Sequence, residues 1–349
     1  MKKAQENKQD ESANNSYSLS YQTLWKAIIR PPRMTYTNDE LGNPYFKYRN
    51  RLYFRRDFEL LNNQGHILKC SFVEPTKEHR KTRDMPVVIY LHGNSSSRLE
   101  GLKMLTVVLR HDINLFALDF AGSGQSEGEY ISLGHYEQQD VRLVVDYIEK
   151  MQGVSKIGLW GRSMGAATTM LYAHKDERIS AICMDSPFAE FRRLAKEMCL
   201  NVISIPDFLL ETAINIVSHT VKKKHKFDID ELKPIEAAKV TETPAIFIHA
   251  KNDELIPLQH TIDIAEEYNG PRSIKICEGG HNSARPRIIL EEIGRFFAKN
   301  LVPGYVDERE VMASIFDENN DSDQDDNQNE KTKTNANITD NKGKGFESL

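Results

Sequence analysis

The sequence is short of several features that would assign it a class at once. No segment approaches the ~18 consecutive apolar residues of a membrane-spanning helix. The four cysteines, Cys70, Cys183, Cys199 and Cys277, are scattered. They have neither the spacing of a metal site nor the density of a disulfide framework. Cys183 and Cys277 fall in strand-like runs and read as reduced core residues. Positive charge is not in excess: 46 Lys and Arg stand against 51 Asp and Glu, a net −5. That excludes a nucleic-acid footprint. The imbalance is local, because residues 317–349 hold nine acids and four lysines and so account for all of it. The opening MKKAQENKQDESANNSYS lacks the apolar centre of a secretory signal. Neither a myristoylation start nor a prenylation box is present. The expectation is a cytoplasmic protein.

What remains is enough for one large core: 349 residues, 39% hydrophobic and 28% charged. Residues 1–20 and 306–349 are polar and aperiodic and are expected to be disordered. Residues 21–305 form the expected domain. LYFRRDFEL (52–60) and HILKCSFVE (66–74) alternate around NNQG, a hairpin signal. Compact apolar runs follow at 86–93, 114–120, 156–161, 179–185, 244–250 and 273–279. Runs apolar on both faces suit parallel strands covered by helices on both sides. Helix-compatible stretches alternate with them, at about 98–110, 136–151, 164–175, 258–268 and 285–300. The predicted fold is therefore α/β, a mostly parallel, doubly wound sheet. Residues 188–240 break the rhythm with helical material alone. An insertion there lies above the C-terminal ends of the strands, where open α/β sheets bind ligands, and is expected to form a helical lid.

One short stretch carries chemistry. GLWGRSMGAATTM (158–170) runs from an apolar strand through Gly-x-Ser-x-Gly into small helix formers. This is the context of a nucleophile elbow, in which Gly161 and Gly165 remove side chains that would collide. Ser163 then projects over the sheet edge beside a helix N-terminus, whose dipole favours developing negative charge. A serine hydroxyl needs a base, and the base needs an orienting carboxylate. On this fold the chain order is serine, acid, histidine. Asp253 follows the strand PAIFIHA, and His281 lies on a glycine-rich loop after SIKICEG. Asp185 also ends a strand and Glu254 adjoins Asp253, so both compete for the acid's role. His249, inside an apolar strand, reads as packed. His92 reads as loop-shaping. The oxyanion hole needs two backbone N–H groups, one from Met164 and one from the loop HGNSSSR, where Asn94 is the choice. No metal or organic cofactor is required.

Together LHGN, LDFAGSGQSEG, GRSMGA, DSPF, AKNDELIP and GGHNSARP resemble the α/β-hydrolase superfamily. The resemblance covers about residues 27–303 and is greatest to its serine aminopeptidase-like branch, which includes depalmitoylating thioesterases. AIIRPPRMTY is similar to a segment in uncharacterised plant and protist members. The resemblance implies Ser163, Asp253 and His281 as a catalytic triad, with Asn94 and Met164 at the oxyanion hole. The cysteine cluster of the membrane-bound thioesterases is missing, since the first cysteine is Cys70. The function expected is cleavage of an ester, thioester or amide bond in a small-molecule or acyl substrate. The alternative is a non-catalytic binding or scaffold protein on the same fold. LWKAIIRPPR (24–33) mixes apolar and basic residues in a way suited to weak peripheral contact with a membrane. The oligomeric state is not legible.

Overall fold

The computed structural model describes residues 25–26, 28–200 and 206–309. Residues 1–20 and nearly all of 306–349, both expected to be disordered, lie outside them. The chain divides into one unit ending at Val302 and a second beginning at Pro303.

The first unit contains a nine-stranded sheet in the order β1-β2-β3-β5-β4-β6-β7-β8-β9. The entrance is antiparallel: β1 (Tyr45–Tyr48), β2 (Arg51–Leu61) and β3 (Ile67–Pro75). NNQG makes the β2–β3 turn as its composition predicts, with Asn62 Oδ1 accepting the N–H groups of Gln64 and His66. Then β3 pairs antiparallel with β5 (Asn114–Leu118). From β5 onward every neighbouring pair is parallel, through β4 (Met85–Leu91), β6 (Val154–Arg162), β7 (Ile179–Asp185), β8 (Ala245–Ala250) and β9 (Arg272–Cys277).

The continuous apolar runs have a direct explanation. In β4, Val87, Ile89 and Leu91 enter one core cluster, and Val88 and Tyr90 enter the other. Strand side chains alternate between faces, so a strand covered on both sides must be apolar at every position. The covering helices fall where the sequence places them, with one difference. The stretch 98–110 forms two short helices, α1 (Arg98–Lys103) and α2 (Leu105–Leu109), broken at Met104, whose φ of −91° and ψ of 0° interrupt the spiral. The others are α3 (Glu137–Glu149), α4 (Met164–Ala173), α8 (Leu258–Glu267) and α9 (Arg287–Leu301).

Between β7 and β8 the described residues form α5 (Phe191–Leu200), α6 (Asp207–His225) and the short α7 (Pro234–Ala238), with no strand. Pro234 takes the first helical position of α7, where its missing N–H costs nothing. Two apolar residues of LWKAIIRPPR face inward. Trp25 and Ile29 are buried in the core, and the Trp25 ring packs on Tyr130 and His225 beneath the Lys224 ammonium. Among the described residues no helix is long and apolar enough to cross a membrane.

Candidate active site

Ser163 stands at the junction of β6 and α4, with φ 53° and ψ −117°. That conformation costs a non-glycine residue on the order of 1–3 kcal/mol, so its surroundings must impose it. Its N–H donates to the carbonyl of Asp185 at 2.8 Å, and its own carbonyl accepts from Ala167, the first bond of α4. The two flanking glycines are required by distance. A Cβ on Gly161 would lie 2.1 Å from the carbonyl oxygen of Gly165, and one on Gly165 would lie 2.0 Å from that of Leu91. Both neighbours are backbone and cannot turn aside.

Two loops at the C-terminal ends of β8 and β9 bring the other groups in. His281 Nε2 is 3.0 Å from the Ser163 hydroxyl, and His281 Nδ1 is 2.7 Å from Asp253 Oδ2. Ser163 and His281 are 9% and 4% exposed, and the Asp253 side chain is fully buried. Asp253 Oδ1 accepts the N–H groups of Leu255 and Ile256, at 3.0 and 2.8 Å. Burial pushes the Asp253 carboxyl up. The His281 hydrogen bond and these amides outweigh that, and the net shift is downward. Asp253 is therefore an anion at neutral pH and holds the imidazole proton on Nδ1. In the neutral imidazole this leaves Nε2 as the acceptor facing Ser163.

The competing acids have other partners. Asp185 forms a buried ion pair with Arg285, whose Nε lies 3.0 and 2.9 Å from its two oxygens and whose Nη2 lies 2.7 Å from Oδ1. Glu254 accepts the backbone N–H of His281 at 3.1 Å. Neither reaches the imidazole. His249 is fully buried; its Nε2 donates to the Ile256 carbonyl at 2.9 Å and lies 3.4 Å from Asp253 Oδ2. Burial pushes its pKa down. His92 accepts the Phe120 N–H at Nε2 and donates from Nδ1 to the Gly93 carbonyl. It stitches two loops together, and both ring nitrogens are engaged in doing so.

Sequence reading missed four side chains that hold the site. Arg162 donates to the carbonyls of His281 and Ser283, at 2.7 and 3.2 Å, and pairs with Glu100. Glu100 in turn accepts the N–H of Gly93. Arg285 donates to the carbonyls of Gly280 and Ser283 and more distantly to that of His281. His249, read only as packing, also touches Asp253. Arg162 stands beside the serine within the motif itself, and that adjacency was the one available signal.

Met164 and Asn94 both line a cavity of about 260 Å³ that opens on Ser163. Their N–H groups have no backbone acceptor among the described residues. Met164 is the first residue of α4, where the N–H is orphaned by helix geometry. Two such donors beside a serine hydroxyl suit an oxyanion.

Residues 83–233 match a family described as serine aminopeptidase, S33. The uncharacterized protein YqkD of Bacillus subtilis is 30% identical over 231 residues, spanning 65% of this chain and 75% of YqkD. The lysophosphatidylserine lipase ABHD12 of Rattus norvegicus is 28% identical over 184 residues, 49% of this chain and 42% of its own length. Of solved structures, the Pyrococcus furiosus esterase Pf2001 superposes with a TM-score of 0.59 at 19% identity. That match covers 78% of this chain and 98% of the esterase, a likeness of fold.

Proposed function

The chain belongs to the α/β-hydrolase superfamily, and from that premise we propose that it is a serine hydrolase acting through an acyl-enzyme. The observation that carries this reading is the connected run of hydrogen bonds from Ser163 through His281 to Asp253. Ser163 Oγ attacks the carbonyl carbon of an ester, thioester or amide while His281 Nε2 takes its proton. The oxyanion forms against the N–H groups of Met164 and Asn94. The tetrahedral intermediate collapses, the bond to the leaving group breaks, and His281 returns the proton to that group. A water then attacks the acyl-enzyme, with His281 again as base, and releases the acid. Asp253 stabilises the imidazolium formed in each half. The helices between β7 and β8 serve as the lid over the acyl side.

A fluorophosphonate probe tests this directly. Folded wild-type protein is expected to be labelled at Ser163, and Ser163→Ala to give no labelling. Wild-type protein that stays unlabelled while its melting transition is intact would refute the reading.

A further inference from the structure

We infer that the substrate's acyl part is an uncharged aliphatic chain of medium length, gauged by one face of α5, and that aminoacyl substrates are rejected. This rests on the serine-hydrolase reading and names the substrate class for that site.

The cavity beside Ser163 is walled by Phe191, Leu194, Ala195 and Met198. These lie at i, i+3, i+4 and i+7, one face of a helix. No charged side chain lines the cavity among the described residues; its only polar side chains are Asn94, Ser163 and Cys199. An aminopeptidase must receive an ammonium next to the scissile carbonyl, and a buried ammonium needs a carboxylate partner. The acids that touch Ser163, His281 or their loops are engaged, Asp185 with Arg285 among them. Asp253 holds His281, Glu254 holds the His281 amide, and Glu100 holds Gly93 and Arg162. A free α-amine would be stranded, whereas a methylene chain would meet only apolar surface.

Length follows from volume. At ~30 Å³ for each water-sized group, a cavity of about 260 Å³ takes a chain of roughly eight carbons. That is just below the ~300 Å³ at which drug-sized ligand pockets begin. The wall is braced. On the other side of α5, Arg192 pairs with Glu211 and Asp230, Arg193 with Glu197 and Asp263, and Glu197 with His260. These partly exposed pairs tie the helix to α6 and α8 along this wall. Ala195 is the smallest of the four α5 side chains on this wall.

The test is kcat/KM of the full chain on p-nitrophenyl acetate, butyrate, octanoate, dodecanoate and palmitate, with leucine p-nitroanilide as the aminoacyl probe. Each accommodated methylene is expected to gain about fourfold, giving a maximum near octanoate and no turnover of the anilide. Ala195→Phe is expected to lower the octanoate-to-butyrate ratio at least about tenfold. Met198→Ala, a truncation near the end of α5 that keeps the readout if Ala195→Phe fails to fold, is expected to raise dodecanoate relative to octanoate. A maximum at acetate or palmitate, turnover of the anilide, or ratios unmoved in a folded variant would overturn the inference and leave the hydrolase reading standing. A wild-type protein that neither turns over an ester nor takes the fluorophosphonate would overturn both.

Discussion

Asp253→Asn is expected to fold normally and to lose about four orders of magnitude in kcat. The size of the loss comes from the bonds around one side chain. The N–H groups of Leu255 and Ile256 both point at Oδ1 of Asp253. They require an oxygen there, so they decide how an asparagine is oriented. Its carbonyl takes the Oδ1 position, and its NH2 is left where Oδ2 had been, 2.7 Å from His281 Nδ1. An NH2 there donates to Nδ1 where the carboxylate accepted from it. The imidazole must then carry its proton on Nε2, the nitrogen facing Ser163 at 3.0 Å. A protonated Nε2 cannot take the serine's proton. Turning the amide over would restore the tautomer but set an NH2 against two N–H donors, and each buried donor left without an acceptor costs about 1–3 kcal/mol. Steady-state kinetics beside thermal melting checks the prediction. A well-folded Asp253→Asn protein keeping more than about a tenth of wild-type kcat would contradict the assigned proton path.

Sequence patterns revealed the elements and left their long-range partnerships open, for a physical reason. Strands β4 to β8 are legible because burial on both faces forces an unbroken apolar run, a local property; β9, an edge strand exposed over most of its length, departs from the expected run covered on both sides. Ser163 is legible because the turn that exposes it needs glycine at two fixed offsets, again local. β1 was not, since four half-exposed residues paired with a single neighbour leave no mark on composition. The choice among Asp185, Asp253 and Glu254 was equally illegible. All three stand at or just past a strand end, and what separates them is the direction each carboxylate takes. Asp253 is turned toward the imidazole by the amides two and three residues ahead of it, and Glu254, one position on, meets the backbone of His281 instead. Strand β8 shows the limit plainly. Every residue in it is buried, so alternation could not tell that His249 faces Asp253. The pairs Arg285–Asp185 and Arg162–Glu100 join residues 100 and 62 positions apart, and no periodicity records a charge partner at such distance.

The first of those pairs carries the second large effect. Arg285→Ala is expected to cost about 3–5 kcal/mol of folding stability. Both side chains of the pair are 4% exposed, so deleting the guanidinium leaves a carboxylate buried with no cation, and desolvation it cannot recover. The loss extends into the site. Arg285 supplies donors to the carbonyls of Gly280 and Ser283, both at 3.2 Å, while the carbonyl of Asp185 accepts the Ser163 N–H at 2.8 Å. The ion pair thus ties the loop bearing His281 to the strand end that fixes Ser163. Stability and activity should separate when both charges are removed. Asp185→Leu combined with Arg285→Met eliminates the unpaired anion and is expected to regain more than half of the lost stability, because apolar replacement of a buried pair is often close to neutral. It does not restore the donors to the loop, so kcat is expected to stay at least about tenfold down, as a small misplacement of a catalytic group costs far more in rate than in folding. Urea unfolding of the two variants beside their kcat values decides the matter. A single variant within about 1 kcal/mol of wild type would show that the carboxylate finds another partner, and a double variant with full kcat would show that Arg162 and Glu254 position His281 unaided.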